Sequence, residues 1–182
     1  MSRAIVLGRF QPFHNGHASL VMKAAALHPN QKVMVAIGSA QSEWEPNNPW
    51  SAEERSMMIK AWAEHQNLEI EICTIEDIND PPNWVEHART IHGEGTLVTS
   101  DKPTSILYKE AGFPVHDLPL EDRERFEGWR VRQTAKMLST VYDDDAVREV
   151  LGSSVPSPVI EWLIETDALY RLSTFETGFH AG

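Results

Sequence analysis

The stretch Ala4-Ile5-Val6-Leu7-Gly8-Arg9-Phe10-Gln11-Pro12-Phe13-His14-Asn15-Gly16-His17 predicts a buried strand, a turn and the start of a helix. Residues 4–7 form a continuous apolar run, which is typical of a strand covered on both faces. From His17 to Leu27 the apolar residues recur at helical spacing. A strand that leads through a glycine-containing turn into a helix is the first half of a β-α-β unit, and this unit sets the fold class.

The same alternation of strands and helices continues to about residue 120. Further strands are predicted over residues 32–37, 69–74, 96–99 and 114–116, and further helices over residues 51–65, 84–92 and 103–111. Ser51 followed by Glu54 matches a capping box at the start of one helix. We therefore predict an α/β fold, a Rossmann-like, doubly wound and mostly parallel five-stranded sheet.

The last third of the chain is helical in pattern. Helices are predicted over residues 129–138, 145–151 and 157–170, and we expect them to pack on the sheet as a C-terminal helical subdomain. The predicted organisation is a Rossmann-like core over residues 1–120, a helical part of the same domain over 121–172, and a tail over 173–182.

Charge and composition limit the partners. The 182-residue chain has 16 Lys and Arg against 27 Asp and Glu, a formal net charge of −11, which disfavours nucleic acid and anionic membranes as partners. The single cysteine, Cys73, excludes an internal disulfide. Without a signal-peptide pattern or a long apolar segment, the expected location is the cytoplasm. Any phosphate ligand must find a local cluster of positive groups.

The first turn has the residue types that a phosphate site needs. It lies before a helix N-terminus, where free backbone N–H groups attract anions. Gly8 and Gly16 permit close approach of the backbone, Arg9 adds a positive charge, and His14 and His17 can donate hydrogen bonds to phosphate oxygens. The pair could instead be a chance spacing, or half of a zinc site, although zinc requires three or four ligands.

Residues 8–17 resemble the HxGH signature of the nucleotidyltransferase superfamily, and most of all its archaeal-type nicotinamide-nucleotide adenylyltransferases. Three more segments are similar and collinear, so the resemblance covers residues 3–138. They are Ile37-Gly38-Ser39-Ala40-Gln41, Asn48-Pro49-Trp50-Ser51-Ala52-Glu53-Glu54-Arg55, and the spacing from Asp77 to Trp84.

The resemblance implies transfer of AMP from ATP to nicotinamide mononucleotide, with ATP and a mononucleotide as partners and a homo-oligomer as a possible assembly. It implies that Mg²⁺ is held mainly by the ATP phosphates, with no protein metal site. The implied catalytic residues are His14, His17 and Arg132. The implied ATP-binding residues are Gly8, Arg9, Phe10, His14, Gly16, His17, Gly128, Arg130 and Arg132, and the implied acceptor-binding residues are Asp77, Trp84, Ser39 and Arg55.

The stretch from Arg123 to Lys136 is the basic part of an otherwise acidic chain, with Arg125, Arg130 and Arg132 between them. It is either a second phosphate site or a solvated helix paired with neighbouring acids. The family has a Ser-Gly-Thr-Glu-Ile-Arg-like motif here, whereas this chain has Glu127-Gly128-Trp129-Arg130-Val131-Arg132 and lacks both hydroxyls.

Other functions remain open at this point. The acceptor could be flavin mononucleotide, pantetheine phosphate or glycerol phosphate, with adenylyl or cytidylyl transfer. The altered Glu127–Arg132 motif also fits a catalytically weak nucleotide-binding regulatory module. Arg55 stands in the first turn of its helix, against the helix dipole, and either contacts phosphate or pairs with Glu54 or Glu76.

Overall fold

A computed structural model describes residues 2–119 and 127–176. The strands are β1 (Ala4–Gly8), β2 (Val33–Ile37), β3 (Ile70–Thr74), β4 (Thr96–Thr99) and β5 (Val115–Asp117). The helices are α1 (Asn15–Leu27), α2 (Ala52–His65), α3 (Trp84–His92), α4 (Lys102–Glu110), α5 (Gly128–Leu138), α6 (Asp144–Leu151) and α7 (Ser157–Glu165). Short 3₁₀ turns cover Pro81–Asn83 and Tyr170–Thr174.

The five strands form one parallel sheet in the order β3-β2-β1-β4-β5. This confirms the predicted Rossmann-like fold, and the pairing between these strands is parallel throughout. The chain first adds strands on one side of β1 and then returns to add β4 and β5 on the other. The order reverses beside β1, and in open α/β sheets ligands bind at the carboxyl ends of the strands at this switch point.

The strands β1 and β2 at the middle of the sheet form where the sequence is continuously apolar. All five residues of β2 are buried, and so are the first three of β1. One apolar cluster on the sheet contains Ile5, Met34, Val85, Leu97, Tyr108 and Phe113. A second contains Ala36, Ile75 and Ala88. Strands buried in this way have no solvent face, which explains why they lack the alternation of a half-exposed strand.

Helix boundaries follow the local capping signals. The Ser51 side chain accepts a bond from the Glu54 N–H, and the Glu54 carboxylate accepts one from the Ser51 N–H, so the predicted capping box is confirmed. At the start of α6 the Asp143 carboxylate accepts bonds from two backbone N–H groups, as an N-cap does.

The prediction that the last helix runs to Tyr170 is wrong, because α7 ends at Glu165. Asp167 has a left-handed backbone, with φ of 55°. The N–H of Ala168 donates to the Leu163 carbonyl and that of Asp167 to the Ile164 carbonyl, which together form a Schellman motif. Glycine normally occupies this left-handed position, so an aspartate there was not recognised as a stop signal.

The chain divides into two compact units, each discontinuous in sequence. The sheet unit comprises Met1–Arg9, Ser19–Gln41 and Glu69–Glu121, with all five strands. The helical unit comprises Phe10–Ala18, Ser42–Leu68 and Asp122–Gly182; in it α2 contacts α7, and α6 contacts both α5 and α7. The continuous boundaries predicted from sequence, at residues 120 and 172, stay a prediction, and residues 177–182 of the predicted tail lie outside the described part. Within that part, no helix is long and apolar enough to cross a bilayer.

Candidate active site

In the helical unit, residues 10–17 comprise the turn before α1 and the first three residues of that helix, a segment here called the histidine turn. The rings of His14 and His17 are stacked, with centroids 3.6 Å apart and planes 19° from parallel. The Phe10 ring meets the His17 ring edge-on at 4.8 Å, and Phe13 lies 5.7 Å from it. The three-residue spacing thus produces a stacked imidazole pair with aromatic neighbours.

Backbone contacts determine which ring nitrogens carry protons. The Gly16 N–H donates to Nδ1 of His14 at 3.1 Å, and the His14 N–H donates to Nδ1 of His17 at 3.2 Å. A nitrogen that accepts a hydrogen bond cannot itself be protonated, so in each neutral imidazole the proton is on Nε2. Both rings therefore carry one N–H donor on the edge opposite the backbone.

Burial keeps both imidazoles neutral. His14 is only 5% exposed, and burial, together with the nearby charge of Arg132, lowers its pKa to about 3. Burial and the proximity of His14 also hold the pKa of His17 well below its ordinary value. At neutral pH the two imidazoles are therefore uncharged, and each can still donate one hydrogen bond. The positive charge next to them is that of an arginine.

That arginine is Arg132 on α5, which is 2% exposed. Its Nη1 donates to the Gln11 carbonyl at 2.8 Å, which links α5 to the histidine turn within the helical unit. A Cβ on Gly128 would lie 3.0 Å from that same Nη1. Gly128, one helical turn earlier, therefore leaves room for the guanidinium. The structure brings the predicted residues His14, His17, Gly128 and Arg132 together.

Gln11 is a residue that the sequence reasoning missed. Gln11 is only 3% exposed, and its side chain pairs with the backbone of Trp50: Nε2 donates to the Trp50 carbonyl at 2.8 Å, and the Trp50 N–H donates to Oε1 at 3.1 Å. The Trp50 indole, fully buried, donates to the Ala168 carbonyl. No local pattern could reveal this role, because the partner of Gln11 is 39 positions away.

The residues at the start of α5 that differ from the family motif contact one another through hydrogen bonds and a cation–π contact. The Glu127 carboxylate accepts bonds from the Trp129 indole at 2.7 Å and from Arg130 Nε at 3.2 Å. The Arg130 guanidinium also lies 4.7 Å from the centre of the Trp129 ring. The acid thus has a cationic neighbour of its own. Arg123 and Arg125 of the predicted basic stretch lie outside the described residues.

In the sheet unit, Gly8 is the last residue of the central strand β1, and Arg9 follows it. The Gly8 carbonyl accepts a bond from the Gly38 N–H at 2.9 Å, which holds the ends of β1 and β2 together. Ser39, the next residue after Gly38, has a positive φ of 47°. These residues lie at the carboxyl ends of adjacent parallel strands, where phosphate and ribose groups bind in such folds.

The same unit contains the predicted acceptor residues Asp77 and Trp84. Asp77 is exposed and bonded to Gln41 through both its carboxylate and its backbone N–H, each at 3.0 Å. Trp84, the first residue of α3, is half-buried, and its ring meets Tyr108 at 6.3 Å. One part of Trp84 therefore packs in the core while another part remains accessible.

Arg55 has structural contacts. It is fully buried, its Nε donates to the Ser51 carbonyl at 3.1 Å, and its Nη2 reaches the Ser42 carbonyl at 3.4 Å. Glu54, one of the partners considered for it, forms a two-bond ion pair with Arg171 at 2.6 and 2.7 Å. A role for Arg55 in acceptor binding stays a prediction.

The resemblance implies a magnesium ion that is held mainly by the ATP phosphates. Over residues 2–119 and 127–176, no group of three or more His, Cys, Asp or Glu side chains is placed to hold a metal ion. A triphosphate supplies its own oxygen ligands, and magnesium is usually bound through substrate phosphates and few protein groups.

Comparison with known proteins places this geometry in a family. The cytidylyltransferase-like family model matches residues 5–150. A protein of Methanolobus tindarius named nicotinamide-nucleotide adenylyltransferase is 35% identical over 175 residues, which are 96% of this chain and 94% of that protein.

Two solved structures from Francisella tularensis share the fold. A bifunctional NMN adenylyltransferase/ADP ribose pyrophosphatase is matched with a TM-score of 0.70 at 20% identity, over 96% of this chain and 53% of that one, so this chain spans about half its length. A complex of such an enzyme with AMP and a manganese ion is matched with a TM-score of 0.62 at 19% identity, over 97% and 58%. Because the family model covers most of the chain and the archaeal relative matches nearly all of it, this protein belongs to the cytidylyltransferase-like family, among the nicotinamide-nucleotide adenylyltransferases.

Proposed function

We propose that this protein transfers AMP from ATP to nicotinamide mononucleotide, forming NAD and pyrophosphate. The observation that carries the proposal is the stacked pair His14 and His17, each with its proton on Nε2, in the same unit as the buried Arg132. Near-full-length similarity to nicotinamide-nucleotide adenylyltransferases supports the choice of substrates.

The reaction needs no side-chain nucleophile. A phosphate oxygen of the mononucleotide attacks the α-phosphorus of ATP in line, a new P–O bond forms, and the bond to the β-phosphate oxygen breaks, so that pyrophosphate leaves. Negative charge accumulates on the oxygens around the α-phosphorus. Catalysis is then positioning and charge stabilisation, as in other phosphoryl transfers.

The residues of the histidine turn supply that stabilisation. The Nε2–H groups of His14 and His17 donate to oxygens of the reacting phosphates, and Arg132 and Arg9 neutralise the triphosphate. Donors held rigidly by the backbone cost little reorganisation in the transition state, and each is worth ~2.7–4 kcal/mol by analogy with oxyanion-hole donors. From the family resemblance we also assign Gly8, Phe10, Gly16, Gly128 and Arg130 to ATP binding.

A magnesium ion would be held mainly by the ATP phosphates and would reduce their negative charge. The manganese ion in one structural relative supports a divalent metal in general. The acceptor binds through Asp77, Trp84 and Ser39: the indole face attracts a cationic pyridinium by ~0.5–2 kcal/mol, and the carboxylate adds Coulomb attraction. We also propose that the protein acts in the cytoplasm, and a homo-oligomer is one assembly that the family resemblance allows.

A panel of acceptors tests the proposal. Pyrophosphate release is measured with ATP or CTP against nicotinamide mononucleotide, flavin mononucleotide, pantetheine phosphate and glycerol phosphate, and each product is identified by mass spectrometry. The expected result is NAD from ATP and nicotinamide mononucleotide, with kcat/KM at least about a hundredfold above any other pair. A higher value for another pair would contradict the proposed acceptor. Calorimetric ATP binding without pyrophosphate release from any pair would instead indicate a regulatory nucleotide-binding module.

A further inference from the structure

In the sheet unit, the amide of Gln41 meets Asp77 twice. Nε2 donates to the Asp77 carboxylate at 3.0 Å, and Oε1 accepts the Asp77 backbone N–H at 3.0 Å. An exposed aspartate normally exchanges among several rotamers, because nothing restrains its short side chain. Here the two bonds close a ring that fixes both the backbone and the carboxylate of Asp77.

A second contact restrains the same segment from α3. The ring of His87 donates through Nε2 to the Glu76 carbonyl at 3.0 Å, since a carbonyl oxygen can only accept. His87 and Trp84 are three residues apart on α3 and so share one face of that helix. The loop that carries Asp77 is therefore tied to the helix that carries Trp84.

Both contacts lie beyond the carboxyl ends of the parallel strands, which is where ligands bind in open α/β sheets. Gln41 follows the end of β2 and Asp77 follows the end of β3, and these strands are paired in parallel up to Ile37 and Thr74. Trp84 is restrained as well, because its ring packs on Tyr108 and on both apolar clusters of the sheet. An aromatic face and a carboxylate are thus each fixed by tertiary contacts.

Such a pair distinguishes ligands by charge. A cationic ring with a neutral substituent is attracted both by the indole face and by the carboxylate. If the ring carries a carboxylate of its own, that carboxylate is repelled by the like charge of Asp77. The repulsion lowers the affinity of the site for such a ligand relative to the neutral one. The discrimination is sharp only if the carboxylate of Asp77 cannot swing away.

We propose that Gln41 and His87 are positioning residues that hold Asp77 so that the site selects nicotinamide mononucleotide over its acid analogue, nicotinic acid mononucleotide. This inference rests on the proposed function, because it concerns the acceptor half of the same reaction. It predicts that selectivity between the two acceptors, rather than catalytic power, depends on two residues that do not touch the transferred phosphate.

The test compares kcat/KM for the two acceptors at saturating ATP. We expect the wild-type protein to prefer nicotinamide mononucleotide and Gln41→Leu to lower that preference about tenfold, through KM for the acceptor, with KM for ATP within twofold. His87→Ala should lower it in the same direction, and His87→Gln, whose amide can still donate, should restore at least half of it. If Gln41→Leu does not fold, Gln41→Asn, whose shorter amide cannot span both bonds, replaces it.

The chain offers matched controls, because His65 and Gln66 at the exposed end of α2 repeat the two residue types. His65→Ala and Gln66→Leu should leave the preference unchanged. A preference within twofold of wild type in folded Gln41→Leu and His87→Ala, an equal rise in KM for ATP, or a wild-type protein that prefers the acid analogue would each overturn the inference. A wild-type protein that forms no dinucleotide from either acceptor would instead overturn the proposed function.

Discussion

His17 allows catalytic and structural roles to be separated with two nearly isosteric substitutions. Its Nδ1 accepts the His14 N–H at 3.2 Å, while its Nε2–H is the proposed donor to phosphate. In His17→Asn, the shorter amide can place an oxygen near the Nδ1 position but cannot reach the Nε2 position. In His17→Gln, the longer amide reaches the Nε2 position but cannot serve the His14 N–H.

The expected magnitudes follow from this geometry. Loss of one well-placed donor costs ~2.7–4 kcal/mol in the transition state, so kcat of His17→Asn should fall by about a hundredfold to a thousandfold. Its stability should fall by ~1–2 kcal/mol, because the ring that packs against Phe10 and Phe13 is lost. The loss stays small because the amide oxygen still accepts the His14 N–H. His17→Gln should keep more activity but lose a further ~1–3 kcal/mol, because the His14 N–H loses its acceptor.

Two assays on each variant measure this separation: pyrophosphate release at saturating substrates and urea unfolding at pH 7.5. His17→Ala, which removes both atoms, should combine the low kcat of the asparagine variant with the low stability of the glutamine variant. If His17→Asn is folded and its kcat is within threefold of wild type, the proposed role of the Nε2–H donor is wrong.

Three further predictions concern the neighbours of this ring. Gly128→Ala should lower kcat/KM for ATP by about tenfold to a hundredfold, because the new Cβ would lie only 3.0 Å from Arg132 Nη1 and displace it. The free energy of unfolding in urea should change by less than ~1 kcal/mol, since alanine favours the helix. Unchanged kinetics would contradict this explanation. Gln11→Leu should destabilise by ~2–4 kcal/mol in the same assay, since the N–H and carbonyl of Trp50 both lose their partner; a loss below ~1 kcal/mol would show that the pair is dispensable. The pKa of His14 is lowered to about 3 in the folded protein, so as the pH drops below 6.5 this residue takes up a proton in the unfolded protein first. The contribution of His14 to stability should therefore fall by ~2 kcal/mol between pH 7 and pH 5. His14→Asn should show a correspondingly smaller loss across that interval, and a parallel pH profile for the two proteins would refute the assignment.

Much of the fold was predictable because its signals are local. The alternation of apolar strands and amphipathic helices, the Ser51–Glu54 capping box and the Asp143 N-cap each depend on residues within a few positions of one another. The end of α7 was mispredicted because the local sequence there contains no glycine to mark the stop. Asp167 adopts a left-handed conformation that its residue type alone does not announce.

The candidate site divides in a similar way. The histidine spacing in the turn after β1, together with its resemblance to a known family, predicted phosphate chemistry from adjacent residues. The proton positions on His14 and His17 required the backbone geometry, because they depend on which ring nitrogen faces an N–H group. The low pKa of both rings required the burial that packing produces.

The sequence by itself specifies a parallel α/β sheet and a turn of phosphate-binding type after the first strand. Strand burial, helix caps and motif spacing each depend on residues that are close together in the sequence. Tertiary structure alone decided that Gln11 pairs with Trp50, that Arg132 reaches the Gln11 carbonyl and that Gln41 restrains Asp77. Those partners are 39, 121 and 36 positions apart, and hydrogen bonds over such separations form only when the packed elements bring the groups within about 3 Å.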